Sequence, residues 1–498
     1  MYLLGFDIGS SSVKVSLVQE ETGKCIGNAF APKKEMEIIA LQSGWAEQKP
    51  ETWWENLKLA TSEVLSIANI KADEIKAIGI SYQMHGLVLV DKDKNLLRSS
   101  IIWCDSRAVE IGNKAFQEIG HERCFERLLN SPGNFTASKL KWVKENEPAI
   151  YDKIYKMMLP GDYIAMKLTG NINTTSTGLS ECILWDFIDN QPAKLLLNYY
   201  GISKEIIPDL VPVFSNQGNL SREAAQTLGL SEKTIVAYRS GDQPNNALSL
   251  NVFNPGEVAA TAGTSGVVYG VADKVSYDPL SRINSFAHIN HTKEHNRLGI
   301  LLCINGTGIL NSWIRNKMLA GDQSLTYPDM NTLAAKAPIG SKGLVILPFG
   351  NGAERVLENK NIGAHINGID FNNHSLSHFL RAAQEGIVFA LNYGLEVMKE
   401  VGVKTDKIRA GEANMFLSPI FNNAFASLTG AVVELYNTDG AQGAARGAGF
   451  GAGTYKNVHE AFTGLKAVRT IEPVVEKQEQ YREAYQKWRD VLMEKIPN

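Results

Sequence analysis

Cysteine is scarce in this chain and follows no pattern. The five cysteines in 498 residues are Cys25, Cys104, Cys124, Cys182 and Cys303, odd in number and without CxxC spacing. That excludes a disulfide framework and a cysteine-based zinc site, and leaves buried free thiols. No apolar run approaches the roughly 18 residues needed to span a bilayer, and the opening MYLLGFDIGSSSVK has no basic leader. A cytoplasmic location is the expectation. The net charge is only −3 with no basic block, so neither nucleic acid nor an anionic membrane is expected as a partner. Also missing is any GxxxxGK[ST] loop, and the run GAARGAGFGAG at 443–453 fails the GxGxxG spacing. A phosphate site here cannot be of the P-loop or dinucleotide-binding kind, and the Gly/Ala run reads as a helix packed very closely on its neighbours.

What the chain does contain is one device used twice. A strand runs into a turn of glycine and hydroxyl residues in FDIGSSSVKVSL at the N-terminus and again in AATAGTSGVVYG mid-chain. Each presents backbone N–H groups and small hydroxyls at the tip of a hairpin, which suits phosphate oxygens. Asp7 stands at the end of the first strand. A carboxylate there can hold Mg²⁺, which keeps most of its waters and touches one or two carboxylates and the substrate phosphates; alone, it would equally close the turn. Asp242, in GDQPNNAL, follows the strand-like TIVAYRS where a helix begins. A carboxylate so placed can take the proton of an attacking hydroxyl, or merely start a helix. Two phosphate grips and an intervening carboxylate point to phosphoryl transfer from a nucleotide. His288, His291 and His295 are close in sequence but flank the turn-like NHTKEHN, which favours a turn over a zinc site.

A hydrophobic fraction of 44% supports large buried cores, and the length allows two to four domains. Strand patterns at YLLGFDI, VKVSLVQ and CIGNAFA precede a helix over 50–68 and a strand in AIGISYQMHGLVLVD, the opening of an α/β domain. Val13, Val15 and Leu17 alternate with Lys14 and Ser16, which predicts a half-buried strand. Helical patterns such as SKLKWVKENEPAIYDKI and SREAAQTLGL dominate a cap-like insertion at about 105–230. The second half repeats the opening order: β-rich at 256–305, helical at 307–337 and 375–400, then a strand, turn and helix in KIRAGEANMFLSPIFNNAFASLTG. Two related lobes, 1–250 and 251–498, meeting at a cleft are expected. Tyr481, Tyr485, Trp488 and Leu492 form one stripe in a final helix over 474–494, read as a packing face.

The run of segments FDIGSSSVK, GWAEQKPETWW, GISYQMHG, IIWCDSR, NFTASKLKWVKENEP, MLPGDYIAMKLTG, GDQPNNA, AGTSG and PFGNGAER to AAQEGIVFAL resembles the FGGY carbohydrate kinases from residue 1 to about 455. The resemblance implies two actin-like, ribonuclease-H-like α/β domains flanking a central cleft. It implies a kinase that uses ATP and Mg²⁺ on a small sugar, and it suggests a homodimer. QMHG points to D-xylulose, giving D-xylulose 5-phosphate, with L-ribulose, another ketose, a polyol or glycerol as rival acceptors. A noncatalytic sugar-binding protein or actin-like nucleotide switch is the rival of another class, disfavoured because a switch needs no base. By the same resemblance Asp242 is the general base, and Met84, His85, Asp105, Arg107 and Gln243 belong to the sugar site. Asp7 contacts Mg²⁺ through water. Ser11, Ser12, Gly263, Thr264 and Ser265 hold phosphates, Gly308 and Ser312 flank the nucleoside, and Gly411 with Asn414 forms the adenosine turn. The chain departs from the family pattern at Gln243, where asparagine is common, at Ala410–Ala413 in place of GGGA, and at 351–356, where NGAERV replaces SGERTP.

Overall fold

The computed structural model describes residues 1–319 and 325–496. The chain divides into two compact units. The first comprises Met1–Asn251, Phe286–Leu298 and Thr438–Leu465; the second comprises Val252–Ser285, Gly299–Asn437 and Lys466–Asn498. The chain passes from one to the other at Asn251 and Val252. The expectation that 251–498 forms the second lobe does not hold for Phe286–Leu298 and Thr438–Leu465, which return to the first unit; in the latter, helix Gly440–Gly451 packs on the first unit's sheet.

That sheet has five strands in the order Ile235–Gly241, Ile75–Tyr82, Tyr2–Ile8, Val13–Gln19, Cys25–Ala31. The last three form an antiparallel meander, and the first two run parallel to Tyr2–Ile8. Three parallel strands therefore end at the same edge, which is where α/β sheets present their ligand-binding residues. The alternation in Val13–Gln19 predicts one wet face, yet Ser16 and Val18 are buried as well as Val13, Val15 and Leu17. Helix Pro50–Ala68 and helix Gly440–Gly451 both pack on that strand, and covering both faces erases the alternation.

Helix Pro50–Ala68 starts with proline at its first turn, where the missing N–H costs nothing, and ends at Asn69 in the left-handed region. Trp53, Trp54, Leu57 and Val64 are buried, whereas Leu59, an apolar position of the predicted face, is 62% exposed. Between Tyr82 and Ile235 lies the helical insertion. Its KLKW helix, Thr136–Asn146, stops before Pro148, which opens a separate short helix, Pro148–Tyr151; the run is helical as its pattern predicts, and it is split because proline cannot continue a helix and is at home in a first turn.

The second unit repeats the plan. Leu298–Ile304, Gly266–Ala272, Glu257–Ala262, Lys407–Gly411, Val432–Tyr436 and Ala467–Ile471 lie side by side in that order. Glu257–Ala262 forms a hairpin with Gly266–Ala272 and runs parallel to Lys407–Gly411, which runs parallel to Val432–Tyr436. The long helix Leu376–Glu400 packs with Pro419–Thr429 and Val475–Lys495. In the last of these Tyr481, Tyr485, Trp488 and Leu492 are buried, and the Trp488 indole donates to the Ile346 carbonyl at 3.0 Å. The terminal stripe is a packing face. Among the described residues, no helix is long and apolar enough to cross a membrane.

The Gly/Ala-rich helix Gly440–Gly451 owes its position to bare backbone on both sides. A Cβ added at Gly5 would overlap the Ala441 carbonyl oxygen, and one at Gly79 the Ala444 carbonyl oxygen. Gly443 and Gly447 likewise lie against Ser249 and the Tyr238 ring. Backbone cannot rotate away as a side-chain tip can. Gly79→Ala should therefore destabilise the first unit by about 1–3 kcal/mol or more, read as an earlier midpoint in urea unfolding; an unchanged midpoint would show that the helix is free to retreat.

Candidate active site

Three carboxylates gather where the parallel strands of the first unit end. Asp7 closes Tyr2–Ile8; Ser81, its neighbour on the parallel strand, donates to Asp7 Oδ1 at 2.8 Å. Asp242 is the first residue of helix Asp242–Ser249, directly after Ile235–Gly241. Asp439 caps helix Gly440–Gly451, its Oδ1 accepting from the Gln442 N–H at 2.8 Å. Gly440 leaves no side chain in the way: a Cβ there would come within 2.7 Å of Asp7 Oδ2. Sequence reasoning identified Asp7 and Asp242 but missed Asp439, whose helix lies some 430 residues downstream of Asp7 in a segment read as packing only.

Burial dominates the electrostatics here. It raises Asp7, with Lys14 and the Ser81 hydroxyl opposing and Asp439 adding to the rise. It pushes Asp242 up to about 7, helped by the charge of Asp7 and opposed by hydrogen bonds from the Gln243 backbone and side chain. The helix N-terminus would favour a carboxylate at 242, but lost hydration wins. A carboxylate titrating near neutrality is suited to accept and release a proton. Among the described residues, no group of three or more His, Cys, Asp or Glu side chains could by itself hold a metal ion. The acidic edge nonetheless fits Mg²⁺, which takes one or two carboxylates and fills the rest of its shell with water and phosphate oxygens.

The segment after Ile75–Tyr82 carries the other expected sugar-site residues of this unit. Met84 is buried against Gly241. His85 sits in the left-handed region with φ 62°, a strained conformation for a non-glycine residue of the kind found at binding sites. Its Nδ1 lies 2.9 Å from the Glu181 backbone carbonyl, and since a carbonyl only accepts, Nδ1 carries the proton. Lys139, fully buried, holds this segment: its Nζ donates to the carbonyls of His85 and Ile102, each at 2.9 Å. Burial lowers Lys139 to about 8, with Asp105 opposing.

Asp105 and Arg107 are turned to each other instead of toward a ligand. Asp105 is completely buried; Oδ1 accepts from the Arg107 N–H and Nε, and Oδ2 from the Ala46 N–H at 2.6 Å and Arg107 NH2 at 2.7 Å. The Arg107 guanidinium also pairs with Glu47 at 2.7 Å and stacks over Trp45 at 3.8 Å. Both carboxylate oxygens of Asp105 are thus bonded within the protein. The W-x-D-x-R segment is a structural knot.

The second hairpin and its surroundings line a cavity of about 850 Å³ in the second unit. Gly263, Thr264, Gly308, Ser312 and Asn414 all face it. Gly308 starts helix Gly308–Trp313 and its N–H donates to the Gly263 carbonyl at 2.9 Å, while Ile309 N–H donates to Thr264 at 3.1 Å. A Cβ at Gly308 would overlap that Gly263 carbonyl. Ser265 and Gly411 lie outside the lining; the Ser265 hydroxyl turns toward the Cys303 thiol, and Gly411 ends its strand in open space. Ser11 and Ser12 occupy the first hairpin's turn, closed by Gly9 N–H to the Ser12 carbonyl at 3.1 Å. The lining also includes Asn311, Tyr327, Asn331 and Ser418, which no motif announced. Glu354, within the aberrant NGAERV stretch, fixes the entry to the lining helix by accepting from the N–H groups of Asn305 at 2.9 Å and Gly306 at 3.1 Å.

Two strand-turn devices, an acidic edge and a roomy cavity fit the needs of phosphoryl transfer, which rests on positioning and charge stabilisation. The chain matches the FGGY family of carbohydrate kinases, N-terminal domain, over residues 2–249 and the C-terminal domain over 258–452; it belongs to that family, whose ATP-dependent reaction phosphorylates carbohydrates. Among curated relatives it is similar to the xylulose kinase of Bacillus subtilis (strain 168), 29% identical with 98% of this chain and 96% of that one covered. It is 31% identical to the xylulose kinase of Haemophilus influenzae over 82% of each chain. Among solved structures it resembles one described as a xyloylose kinase from Brucella ovis, with 25% identity, a TM-score of 0.89 and 99% of both chains covered.

The clamp at Lys139 yields a stability test. Lys139→Met should cost about 1–3 kcal/mol for each carbonyl left without its donor, measured by chemical unfolding, and Lys139→Arg should recover part of it. A Met variant as stable as wild type would mean that other donors satisfy His85 and Ile102.

Proposed function

We propose that the protein phosphorylates D-xylulose at its terminal 5-hydroxyl, giving D-xylulose 5-phosphate and ADP, on two actin-like, ribonuclease-H-like domains. The observation that carries this reading is Asp242: a carboxylate raised to about 7, at the end of a strand parallel to the one bearing Asp7. Asp242 takes the proton of the sugar hydroxyl as its oxygen attacks the γ-phosphorus; the bond from that phosphorus to the bridging oxygen breaks and ADP leaves. Met84 and His85 line the acceptor, and Gln243, by bonding to Asp242, orients it. Asp7 with Asp439 would hold Mg²⁺, whose charge offsets that of the phosphates when bound. The cavity at Gly263, Gly308 and Asn414 takes the nucleoside. The names of the relatives favour xylulose, and Gln243 in place of asparagine keeps L-ribulose or a polyol as the second reading. Product identification by mass spectrometry after incubation with a panel of pentuloses and polyols distinguishes the two.

The base assignment makes two predictions. Asp242→Asn should abolish turnover while sugar binding persists; full activity would refute the role. In wild type, kcat/KM should fall as pH drops through about 7, because protonated Asp242 cannot accept a proton, and an acid limb well below that value would contradict the assignment. The linkage carries the opposite sign for stability. A carboxyl raised on folding contributes stability that is complete below the ordinary carboxylate range and is lost as pH rises through about 7. Asp242→Asn should therefore melt above wild type at pH 8, with the gap closing toward pH 5.

A further inference from the structure

Glu181 is a buried acid that the proposed reaction does not use. It is only 2% exposed, at the last position of helix Ser176–Glu181, and its Oε1 has no hydrogen-bond partner among the described residues. Nearby Asp162, also buried, has Arg239 Nε 3.1 Å away. Among the described residues Glu181 makes no such ion pair: the charges of Asp242 and Asp162 add to the effect of burial, and the Tyr82 hydroxyl and a backbone hydrogen bond with His85 oppose it. It also sits at the negative end of its helix. Burial, like charge and the helix end all disfavour a carboxylate here, and the Tyr82 hydroxyl and the His85 hydrogen bond offset them only in part. A residue that works against stability on three counts marks a functional position.

Its location gives it a task. A Cβ built at Gly241 would lie 2.5 Å from Glu181 Oε2 and 2.6 Å from Met84 Cγ. Glu181 therefore meets Met84 across the bare backbone immediately before Asp242, and its own carbonyl orients the His85 ring. We propose that Glu181 is a specificity-determining residue of the acceptor site, its Oε1 taking a hydroxyl of the sugar other than the one that Asp242 deprotonates. This rests on the reading of Met84, His85 and Asp242 as the acceptor site. A hydroxyl can serve as donor or acceptor, so it satisfies the carboxyl group in either protonation state. A sugar acid would bring a negative charge beside the acids Asp242 and Asp7, where poor screening makes like charges costly. The acceptor class is thus a neutral polyhydroxylated sugar, not an aldonate.

The test compares wild type, Glu181→Gln and Glu181→Leu, with Asp242→Asn as a reference. Acceptor binding is measured by calorimetry in the absence of ATP, and KM values are determined for acceptor and for ATP. Glu181→Leu should weaken acceptor binding and raise acceptor KM about tenfold or more, the scale of one lost hydrogen bond in a dry site, with ATP KM within about twofold. Glu181→Gln, close in shape, should change the ranking of neutral acceptors. Acceptor Kd, KM and ranking all unchanged in a folded Glu181→Gln would overturn the proposal, and that variant decides if Glu181→Leu does not fold. Wild-type turnover of an aldonate in preference to neutral sugars would overturn it too. Active Asp242→Asn would instead remove the reading on which the proposal rests, so the two failures are distinguishable.

Discussion

The contact between the backbone of helix Gly440–Gly451 and that of strands Tyr2–Ile8 and Ile75–Tyr82 is the constraint on which the first unit depends. With glycine facing alanine, the helix descends until carbonyl oxygens occupy the space of absent side chains. It then covers the sheet face and brings Asp439 and Gly440 to the end of the strand that carries Asp7. The same small residues set packing and electrostatics. A bulkier helix would stand farther off, and the acidic edge would open to water.

Closeness of that kind has an electrostatic cost that the fold concentrates at one place. Several buried charges elsewhere are matched by an opposite one: Arg239 with Asp162, Arg107 with Asp105 and Glu47, Arg381 with Glu385 at 2.7 Å. Around the strand ends, Asp7, Asp242 and the helix-end Glu181 are all raised by burial, and each has a neighbouring acid raising it further. A protein selected only for stability would put neutral groups at such positions. Acids poised to exchange protons and meet phosphate-bound cations are what phosphoryl transfer to an alcohol calls for.

Much of this was legible in the residues. Hairpins leave a local signature, so Asp7 with GSSS and the GTSG turn could be read directly, as could the strand that delivers Asp242 and the packing stripe of Tyr481 to Leu492. What escaped was whatever depends on distant parts of the chain. The two-sided burial of Ser16 and Val18 comes from helices that begin 32 and more residues away. Asp439 is paired with Asp7 only by the fold. Asp105 and Arg107 matched a motif in type and spacing, but their knot with Ala46, Glu47 and Trp45 is tertiary. No motif singled out Glu181 or Lys139; burial, invisible in a local pattern, gives them their significance.

The return of Thr438–Leu465 to the first unit also bears on how the protein is made. Synthesis proceeds from the N-terminus, and domains generally fold as units while the chain emerges. Here the early unit's sheet stays bare on one face until the ribosome has produced nearly all of the later one. Strands such as Tyr2–Ile8 wait for that cover, and truncation anywhere before residue 438 would deprive the earliest-made part of it.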